Sequence, residues 1–242
     1  MRISRIYLNQ PLAVGSEVTL SPEATRHLVT VLRAQAGAQV VLFNGTGGEY
    51  SATLVEIGKK QALARIDHFS DIDRASPLAI HLGIGLSRGD RFDTVVQKAT
   101  ELGVAEITPL YTERTEVKLK GDRADKKLRH WQQIAISACE QCQLNRVPTI
   151  HHPVTLQEWL ANTSAKQKFV LHHRSEKALR DYRDTPHSVA LAIGPEGGLS
   201  DMEIQACHDR DFKNLTLGPR VLRTETAPLA AISLLQFQWG DW

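Results

Sequence analysis

Up to about residue 72 the chain carries short runs of alternating or clustered apolar residues, with turn residues between them. Such runs predict β-strands. They lie at residues 2–8, 17–20, 38–43, 50–56 and 61–67. A short helix is expected at residues 22–32, and the loop from Asn44 to Gly48 is typical of a hairpin connection. Several short strands joined by tight turns predict a small β-barrel.

Beyond a polar stretch that ends at Pro77, strand and helix patterns alternate, which is typical of an α/β domain. We expect Asp90 to cap the first helix of this part and Gly103 to end it. The predicted strands are residues 78–84, 104–110, 169–172, 189–193 and 215–217, and further helices are predicted at 126–142, from 200 and from 228. The chain is therefore predicted to form two domains, residues 1–72 and 73–242.

Composition agrees with a globular protein, since 42% of the 242 residues are hydrophobic and 23% are charged. No window approaches the roughly 18 consecutive apolar residues of a membrane span. The first residues do not form a secretion signal, and three cysteines argue against a disulfide scaffold. We therefore expect a cytoplasmic location. A net charge of +2 neither demands nor excludes a nucleic-acid partner, so any basic surface must be local.

Residues 85–89 fit the G-x-S-x-G pattern between a predicted strand and a predicted helix, where serine hydrolases place their nucleophile. This pattern makes Ser87 a candidate nucleophile. Short patterns with two glycines arise often by chance. We therefore favour a polar strand-to-helix turn and keep a serine hydrolase as an alternative.

Cysteine and histidine pairs are candidates for redox or metal groups. Cys139 and Cys142 form a C-x-x-C pair inside a helical pattern, with Cys207 as the only other cysteine, so buried core residues are the favoured interpretation. His151-His152 and His172-His173 are adjacent pairs. Neighbouring strand residues point to opposite faces, so each pair offers one ligand at most and no metal site is predicted.

Two glycine-containing loops follow predicted strands in the second domain. The first, IGPEGG at residues 193–198, leads into Ser200 and Glu203, which fit a capping box for a new helix. Ligands of open α/β sheets bind beyond the carboxyl ends of strands, where this loop is expected. Taken alone, it is equally well interpreted as a connector or as a binding loop.

The second loop, LGPRVLRTETA at residues 217–227, repeats this layout before the last helix. Two such loops after two strands of one sheet can form a single pocket, which favours a functional role for Arg223 and Glu225 over solvated charges. A basic run also begins at Lys118. This run is typical of a solvated helix face, and with Arg2 and Arg5 it also suits a phosphate backbone.

Taken together, these segments resemble the bacterial RsmE-type 16S ribosomal RNA uridine-N3 methyltransferases of the SPOUT (α/β-knot) class. The matching stretches are SRGD at 87–90, QKATELG at 97–103, ACEQ at 138–141, NRVP at 145–148, IGPEGG at 193–198 and LGPRVLRTETA at 217–227. The opening RISRIY at residues 2–7 is also similar. The stretches cover most of the chain in the family's order.

The resemblance implies a PUA-like N-terminal β-barrel that helps to bind RNA, followed by a SPOUT domain with a mostly parallel sheet and a trefoil knot. It also implies a homodimer, S-adenosylmethionine (SAM) as methyl donor, and a uridine of the small-subunit decoding region as target. The residues it assigns to SAM are Leu171, His172, His173, Gly194, Pro195, Glu196, Gly197, Gly198, Leu217, Gly218, Val221, Leu222 and Arg223.

For methyl transfer to uridine N3, Glu225 is the candidate general base that accepts the N3 proton. Arg223 is the candidate that stabilises negative charge on the uracil oxygens. The predicted RNA contacts are Arg2, Arg5, Arg88, Lys118, Lys120, Arg123, Lys126 and Lys127. The alternatives are the serine hydrolase at Ser87, an RNA-binding module without SAM, and a SPOUT methyltransferase with another target such as a ribose 2′-OH.

Overall fold

The structure, a computed structural model, describes residues 3–58, 61–119, 121–172 and 179–242. Its internal contacts divide the chain into two units. Unit 1 comprises Met1–Ala75 with Cys139–Val147, and unit 2 comprises Ser76–Ala138 with Pro148–Trp242. The sequence places the division between residues 72 and 73 and assigns residues 139–147 to the second part, whereas their packing groups them with the first.

Unit 1 contains a five-stranded sheet in the order β1-β3-β4-β5-β2, in which β1 and β3 are parallel and the other pairs are antiparallel. The strands are β1 (Ser4–Tyr7), β2 (Glu17–Thr19), β3 (Gln39–Phe43), β4 (Glu49–Ile57) and β5 (Ala62–Ser70). Helix α1 (Pro22–Arg26) continues as a π-helical segment, His27–Val31. These elements lie where the alternating pattern predicts them, because one face of each strand is buried in a common apolar core.

Buried polar groups connect residues 139–147 to the sheet of unit 1. The Arg5 guanidinium lies 2.6 Å from a carboxylate oxygen of Glu49, and Arg74 lies 2.9 Å from the same oxygen. Asn145 accepts a hydrogen bond from Arg5 and donates one to Glu49. Burial alone would raise the pKa of Glu49, but the hydrogen bonds and positive charges of Arg74 and Arg5 lower it.

Apolar side chains complete this connection. Cys139 and Leu144 pack in one buried cluster with Phe43 of β3. Burial raises the pKa of the Cys139 thiol, and its Sγ donates to the backbone oxygen of Arg146. The expectation that Cys139 is a buried core residue is therefore confirmed.

Unit 2 is built on a seven-stranded sheet in which all observed pairings are parallel. Its strands are β6 (Ala79–Gly85), β7 (Glu106–Tyr111), β8 (Thr149–Ile150), β9 (Val154–Thr155), β10 (Gln167–Leu171), β11 (Ser188–Ile193) and β12 (Lys213–Leu215). The order is β12-β10-β11-β6-β7-β8, and β9 pairs with β7. Because parallel strands end at the same edge, the loops after them meet there.

Five helices accompany this sheet. They are α2 (Arg91–Glu101), α3 (Asp122–Cys142), α4 (Leu156–Asn162), α5 (Asp201–His208) and α6 (Thr226–Trp239). Gln236 of α6 is buried, and its amide donates to the backbone oxygens of Leu102 and Gly103 just after α2. Gly103 has φ +80°, which suits glycine, so its predicted role at the helix end is confirmed. Among the described residues, no helix has both the length and the hydropathy of a membrane span.

The structure also differs from the sequence-based prediction at Asp90, at β12 and at α4. Asp90 does not cap α2 with its side chain, because its φ of −85° and ψ of 2° differ from the extended conformation of a capping residue. Strand β12 begins two residues earlier than predicted, in register with Phe169 of β10. Helix α4 with β8 and β9 was not predicted, because such short elements carry little periodicity, although Thr155 and Glu158 form a capping box.

We expect Glu49→Gln to lower the free energy of unfolding by about 1–3 kcal/mol at neutral pH, since the buried Arg5 guanidinium loses its counter-charge. The pKa of Glu49 is lowered by folding, so this stabilisation is present above the usual carboxyl pKa and is lost as the pH falls through the folded-state value. Urea unfolding of both proteins at neutral pH and at about pH 3 measures this difference.

Lys98→Gln serves as the control, because Lys98 pairs with Glu101 at a more exposed position on α2. This variant is expected to change the free energy of unfolding much less than Glu49→Gln does. A difference between wild type and Glu49→Gln that stays the same at both pH values would contradict the role of the carboxylate charge.

Candidate active site at the carboxyl edge of the parallel sheet

Strand order in unit 2 brings together the ends of the three strands that precede the predicted cofactor loops. Strand β10 lies between β11 and β12, so Leu171 at its end lies between the ends of the other two strands. The His172 amide donates to the Leu215 oxygen at 3.0 Å, and the Thr216 hydroxyl donates to the His172 oxygen at 3.0 Å. The structure therefore places Leu171 and His172 beside the strand end that leads into Leu217. The prediction for His173 lies outside the described residues.

The glycine loop after β11 folds back on itself. The Gly198 amide donates to the Pro195 oxygen at 2.8 Å, and Gly198 has φ +69°. A Cβ atom on Gly194 would lie 2.7 Å from both the Gly198 carbonyl carbon and the Leu199 nitrogen. Since these are backbone atoms, only glycine is compatible with this turn.

The G-x-S-x-G segment meets this loop. A Cβ atom on Gly85 would lie 2.4 Å from the Pro195 nitrogen, so Gly85 is needed for the approach of two backbone segments. Ser87 is buried, and within the described part of the chain no hydrogen bond joins its hydroxyl to a histidine or a carboxylate. The geometry therefore favours the strand-to-helix turn over a serine hydrolase.

Glu196 joins the glycine loop to the beginning of α2. Its carboxylate accepts from the Arg88 amide at 3.2 Å and from the Arg91 guanidinium at 3.0 Å. Burial alone would raise the pKa of Glu196, but hydrogen bonds from its own backbone amide, from the Arg88 amide and from the Arg91 side chain lower it. The Glu196 carboxylate therefore stays ionised and links the glycine loop to Arg88 and Arg91 at the beginning of α2.

The other side of the loop is held by residues that follow β7. Arg114 donates to the Gly197 oxygen at 2.7 Å. The buried Glu203 carboxylate accepts from the Glu113 amide at 2.8 Å and from the Ser200 amide at 2.9 Å. The Ser200–Glu203 capping box is thereby confirmed. The roles of Glu113 and Arg114 were not predicted, because no local pattern marks a contact between segments so distant in sequence.

An open cavity of ≈ 580 Å³ lies beside the α2 entry. It is lined by Arg88, Gly89, Asp90, Arg91, Thr94 and Glu225. The structure thus brings Glu225, a predicted catalytic residue, to the arginines that bind Glu196. Neither the cavity nor the participation of Arg91 was predicted, because a helix N-terminus with one more arginine is common in sequences.

The remaining residues of the second loop are more exposed. Gly218 has φ +85° and Leu222 is half-buried, whereas Val221 is 98% exposed. The Arg223 side chain is exposed, and its backbone oxygen accepts from Thr226 and Ala227 at the start of α6. The contacts of these residues with a cofactor stay a prediction.

The predicted RNA contacts fall into two groups. The prediction that Arg5 contacts RNA is wrong, because its side chain is only 6% exposed and is paired with Glu49. Arg5 therefore offers little charge to a phosphate. Arg88 is exposed and forms a surface ion pair with Glu116. The exposed members near the start of α3 are Lys118, Arg123 and Lys126, with Lys127 half-buried. The predictions for Arg2 and Lys120 lie outside the described residues.

Comparison with known families agrees with this architecture. The chain matches the family described as RNA methyltransferase domain over residues 74–236 and the family described as RNA methyltransferase PUA domain over residues 20–67. The fold and the site therefore define an RNA methyltransferase with an N-terminal PUA domain, and the predicted SPOUT fold class is confirmed.

Two relatives with an assigned name narrow this class of protein further. The chain is 35% identical to ribosomal RNA small subunit methyltransferase E of Buchnera aphidicola, over 99% of this chain and 98% of the relative. It is 31% identical to the protein of the same name from Bacillus subtilis, over 95% of this chain and 93% of the relative. The chain belongs to the ribosomal RNA small subunit methyltransferase E family.

Two solved structures cover the whole chain. A methyltransferase of Legionella pneumophila in complex with SAM is 45% identical with a TM-score of 0.96, and each chain is covered to 100%. Ribosomal RNA small subunit methyltransferase E of Neisseria gonorrhoeae bound to SAM is 40% identical with a TM-score of 0.93, again with each chain covered to 100%. Both likenesses extend over the two units described above.

Proposed function

We propose that this protein transfers the methyl group of SAM to N3 of a uridine in the 16S RNA of the small ribosomal subunit. The observation that supports this most is that β10, β11 and β12, which precede the three predicted cofactor loops, are adjacent parallel strands ending at one edge of the sheet. Membership of the ribosomal RNA small subunit methyltransferase E family and the SAM-bound state of two similar structures support the reaction class and the cofactor.

The glycine loop fits a cofactor held by backbone groups. At Gly194 there is no space for a Cβ atom, so amide and carbonyl groups of the turn come close to one another and to any bound molecule. Leu171 and His172 would hold one side, residues Gly194 to Gly198 another, and Leu217, Gly218, Val221, Leu222 and Arg223 the third. When bound, SAM supplies a sulfonium-activated methyl group, so the protein's task is largely alignment, worth up to roughly 7–11 kcal/mol.

The cavity beside α2 is the proposed place of the target nucleotide. Arg88 and Arg91 line this cavity and contribute positive charge suited to RNA phosphate. Glu196 of the glycine loop accepts hydrogen bonds from the Arg88 amide and the Arg91 side chain and so orients both residues. Glu225 lines the same cavity, within which it accepts the N3 proton as general base. Arg223, two residues earlier, stabilises the charge that gathers on the uracil oxygens.

Calorimetric titration with SAM and mass mapping of methyl groups on ribosomal RNA test this function. We expect one SAM per chain, and restored methylation of one uridine N3 when the protein is added to ribosomal particles from cells lacking it. Gly194→Ala should weaken SAM binding at least tenfold, because its Cβ would lie 2.7 Å from backbone atoms. Gly37→Ala in unit 1 is the control for backbone strain alone, because Gly37 has φ +88° but no atom lies within 4 Å of the added Cβ.

Three results would contradict the proposal. The absence of SAM binding would favour an RNA-binding module. Methylation of a ribose 2′-OH would favour a SPOUT enzyme with another target. Covalent labelling of Ser87 by a fluorophosphonate would restore the hydrolase alternative.

Glu225→Gln is expected to lower turnover by about 10²-fold or more while SAM affinity stays unchanged, since general-base catalysis contributes about 10²–10⁴-fold. Arg223→Ala is expected to lower turnover as well, with SAM affinity measured separately because its loop is also assigned to the cofactor. Single-turnover methylation and calorimetry give the two quantities. Unchanged turnover in both variants would exclude these roles.

Exposed lysines and arginines near the start of α3 are proposed to bind the RNA backbone. Charge reversal at Lys118, Arg123 or Lys126 should reduce the slope of log affinity against log salt concentration by about one for each phosphate that the variant no longer neutralises. Lys213→Glu in the edge strand β12 is the control. A slope that is unchanged in all three variants would place the RNA-binding surface elsewhere.

A homodimer through α6 is proposed because most residues of this helix are apolar and they are not confined to one face. A helix of this kind is normally buried all round, yet Leu234 is 43% exposed and Phe237 is 72% exposed. The two residues are three positions apart and share one face. We propose that this face is covered by a second copy of the chain.

Phe237→Ser should shift the protein from dimer to monomer in sedimentation velocity, because it removes the largest exposed apolar side chain of α6. Met202→Ser is the matched control, since Met202 is also highly exposed but lies on α5. A wild-type protein that is monomeric at micromolar concentration would contradict the dimer.

A further inference from the structure

A cluster of metal-binding side chains lies in unit 2, away from the carboxyl edge of the sheet. It comprises His81 of β6, Glu106 of β7 and His151, which directly follows β8. One nitrogen or oxygen of each side chain lies within 4.8 Å of those of the other two. His81 and Glu106 are near the amino ends of their strands, whereas the cofactor loops follow the carboxyl ends.

Strand register places the three side chains on one face. His81 pairs directly with Glu106, and Glu106 pairs with Thr149, two residues before His151. Alternate residues of a strand point to the same face, so His151 projects on the side of Thr149 and Glu106. The arrangement is therefore held by the backbone of three neighbouring strands and not by flexible loops.

Hydrogen bonds hold the side chains in place. His151 Nε2 lies 2.7 Å from Glu106 Oε2. His81 Nε2 lies 2.7 Å from the Thr108 hydroxyl, and the Trp159 indole donates to the same nitrogen at 3.0 Å. Because the indole donates to Nε2, Nδ1 is the ring nitrogen that carries the proton when His81 is neutral.

We propose that His81, Glu106 and His151 form a binding site for a borderline divalent cation of the Zn²⁺ type. Two imidazoles and one carboxylate are a recurrent ligand set for zinc, with a fourth position open to water. Imidazole nitrogen also suits Co²⁺ and Ni²⁺, whereas Mg²⁺ and Ca²⁺ prefer oxygen ligands. The side chains of Glu106 and His151 are 45% and 41% exposed, so an ion has access from solvent.

An ion at Nδ1 requires a rearrangement of protons and hydrogen bonds, because Nε2 now accepts from the indole of the buried Trp159. The ring proton of His81 moves to Nε2, where the Thr108 hydroxyl accepts it at the observed distance. Such an outer hydrogen bond commonly orients a metal-ligating imidazole. The Trp159 indole then gives up its acceptor, and Glu106 exchanges its contact with His151 for the ion. The site would join three strands without taking part in methyl transfer.

The test uses the full-length protein without an affinity tag, titrated with Co²⁺ and with Zn²⁺. We expect one ion per chain, and visible d–d absorption of Co²⁺ without a thiolate charge-transfer band, because no cysteine belongs to the cluster. His151→Gln and Glu106→Gln should each weaken Zn²⁺ binding by about 10–100-fold. Both side chains are partly exposed, so these variants are expected to fold.

His152→Gln is the matched control, because His152 is adjacent to His151 but is exposed, lies 3.9 Å from Asp125 of α3 and is not part of the cluster. It should leave Zn²⁺ binding unchanged. The proposal is overturned if the protein binds no ion at micromolar concentration, or if the two cluster variants bind as the wild type does. Methylation with and without Zn²⁺ distinguishes the two proposals, since loss of the metal site is expected to leave SAM binding and turnover intact.

Discussion

The close approach of two backbone segments at Gly85 and Gly194 is the constraint on which the candidate active site depends. A Cβ atom at either position would lie within 2.4–2.7 Å of backbone atoms of the loop after β11. Because side chains are excluded there, the end of β6 and the glycine loop keep a fixed spacing. The entry of α2 follows β6 directly, so Arg88 and Arg91 are held at Glu196 and the cavity with Glu225 forms beside the loop.

A second constraint is the burial of charge in unit 1. Arg5 is compatible with its buried position because Glu49 balances its charge and accepts from one terminal nitrogen, while Asn145 accepts from the other; its Nε has no partner among the described residues. The same contacts, together with the packing of Cys139 on Phe43, group residues 139–147 with the N-terminal sheet. Residues of the NRVP segment, which carry part of the family resemblance, therefore have a structural role here.

An element or contact could be predicted from the sequence when the residues that form it lie close together along the chain. Strands of unit 1 and the Ser200 capping box were predicted because alternation and capping depend on residues close in sequence. Arg5 was interpreted as an RNA contact because its partner Glu49 lies on a strand 44 residues away. Helix α4 was missed because seven residues show little periodicity, although its capping box at Thr155 was a usable signal.

Residue patterns alone indicated the class of each domain and the two glycine loops, and the resemblance indicated the family, its cofactor and an expected knot. Folding was needed to bring Glu225 to the α2 entry, to join Arg114 to Gly197 and to place His81, Glu106 and His151 on one face. Turns, caps and periodicity can be predicted because they are set by neighbouring residues. Cross-strand register and ion pairs depend instead on which distant segments meet in the folded sheet.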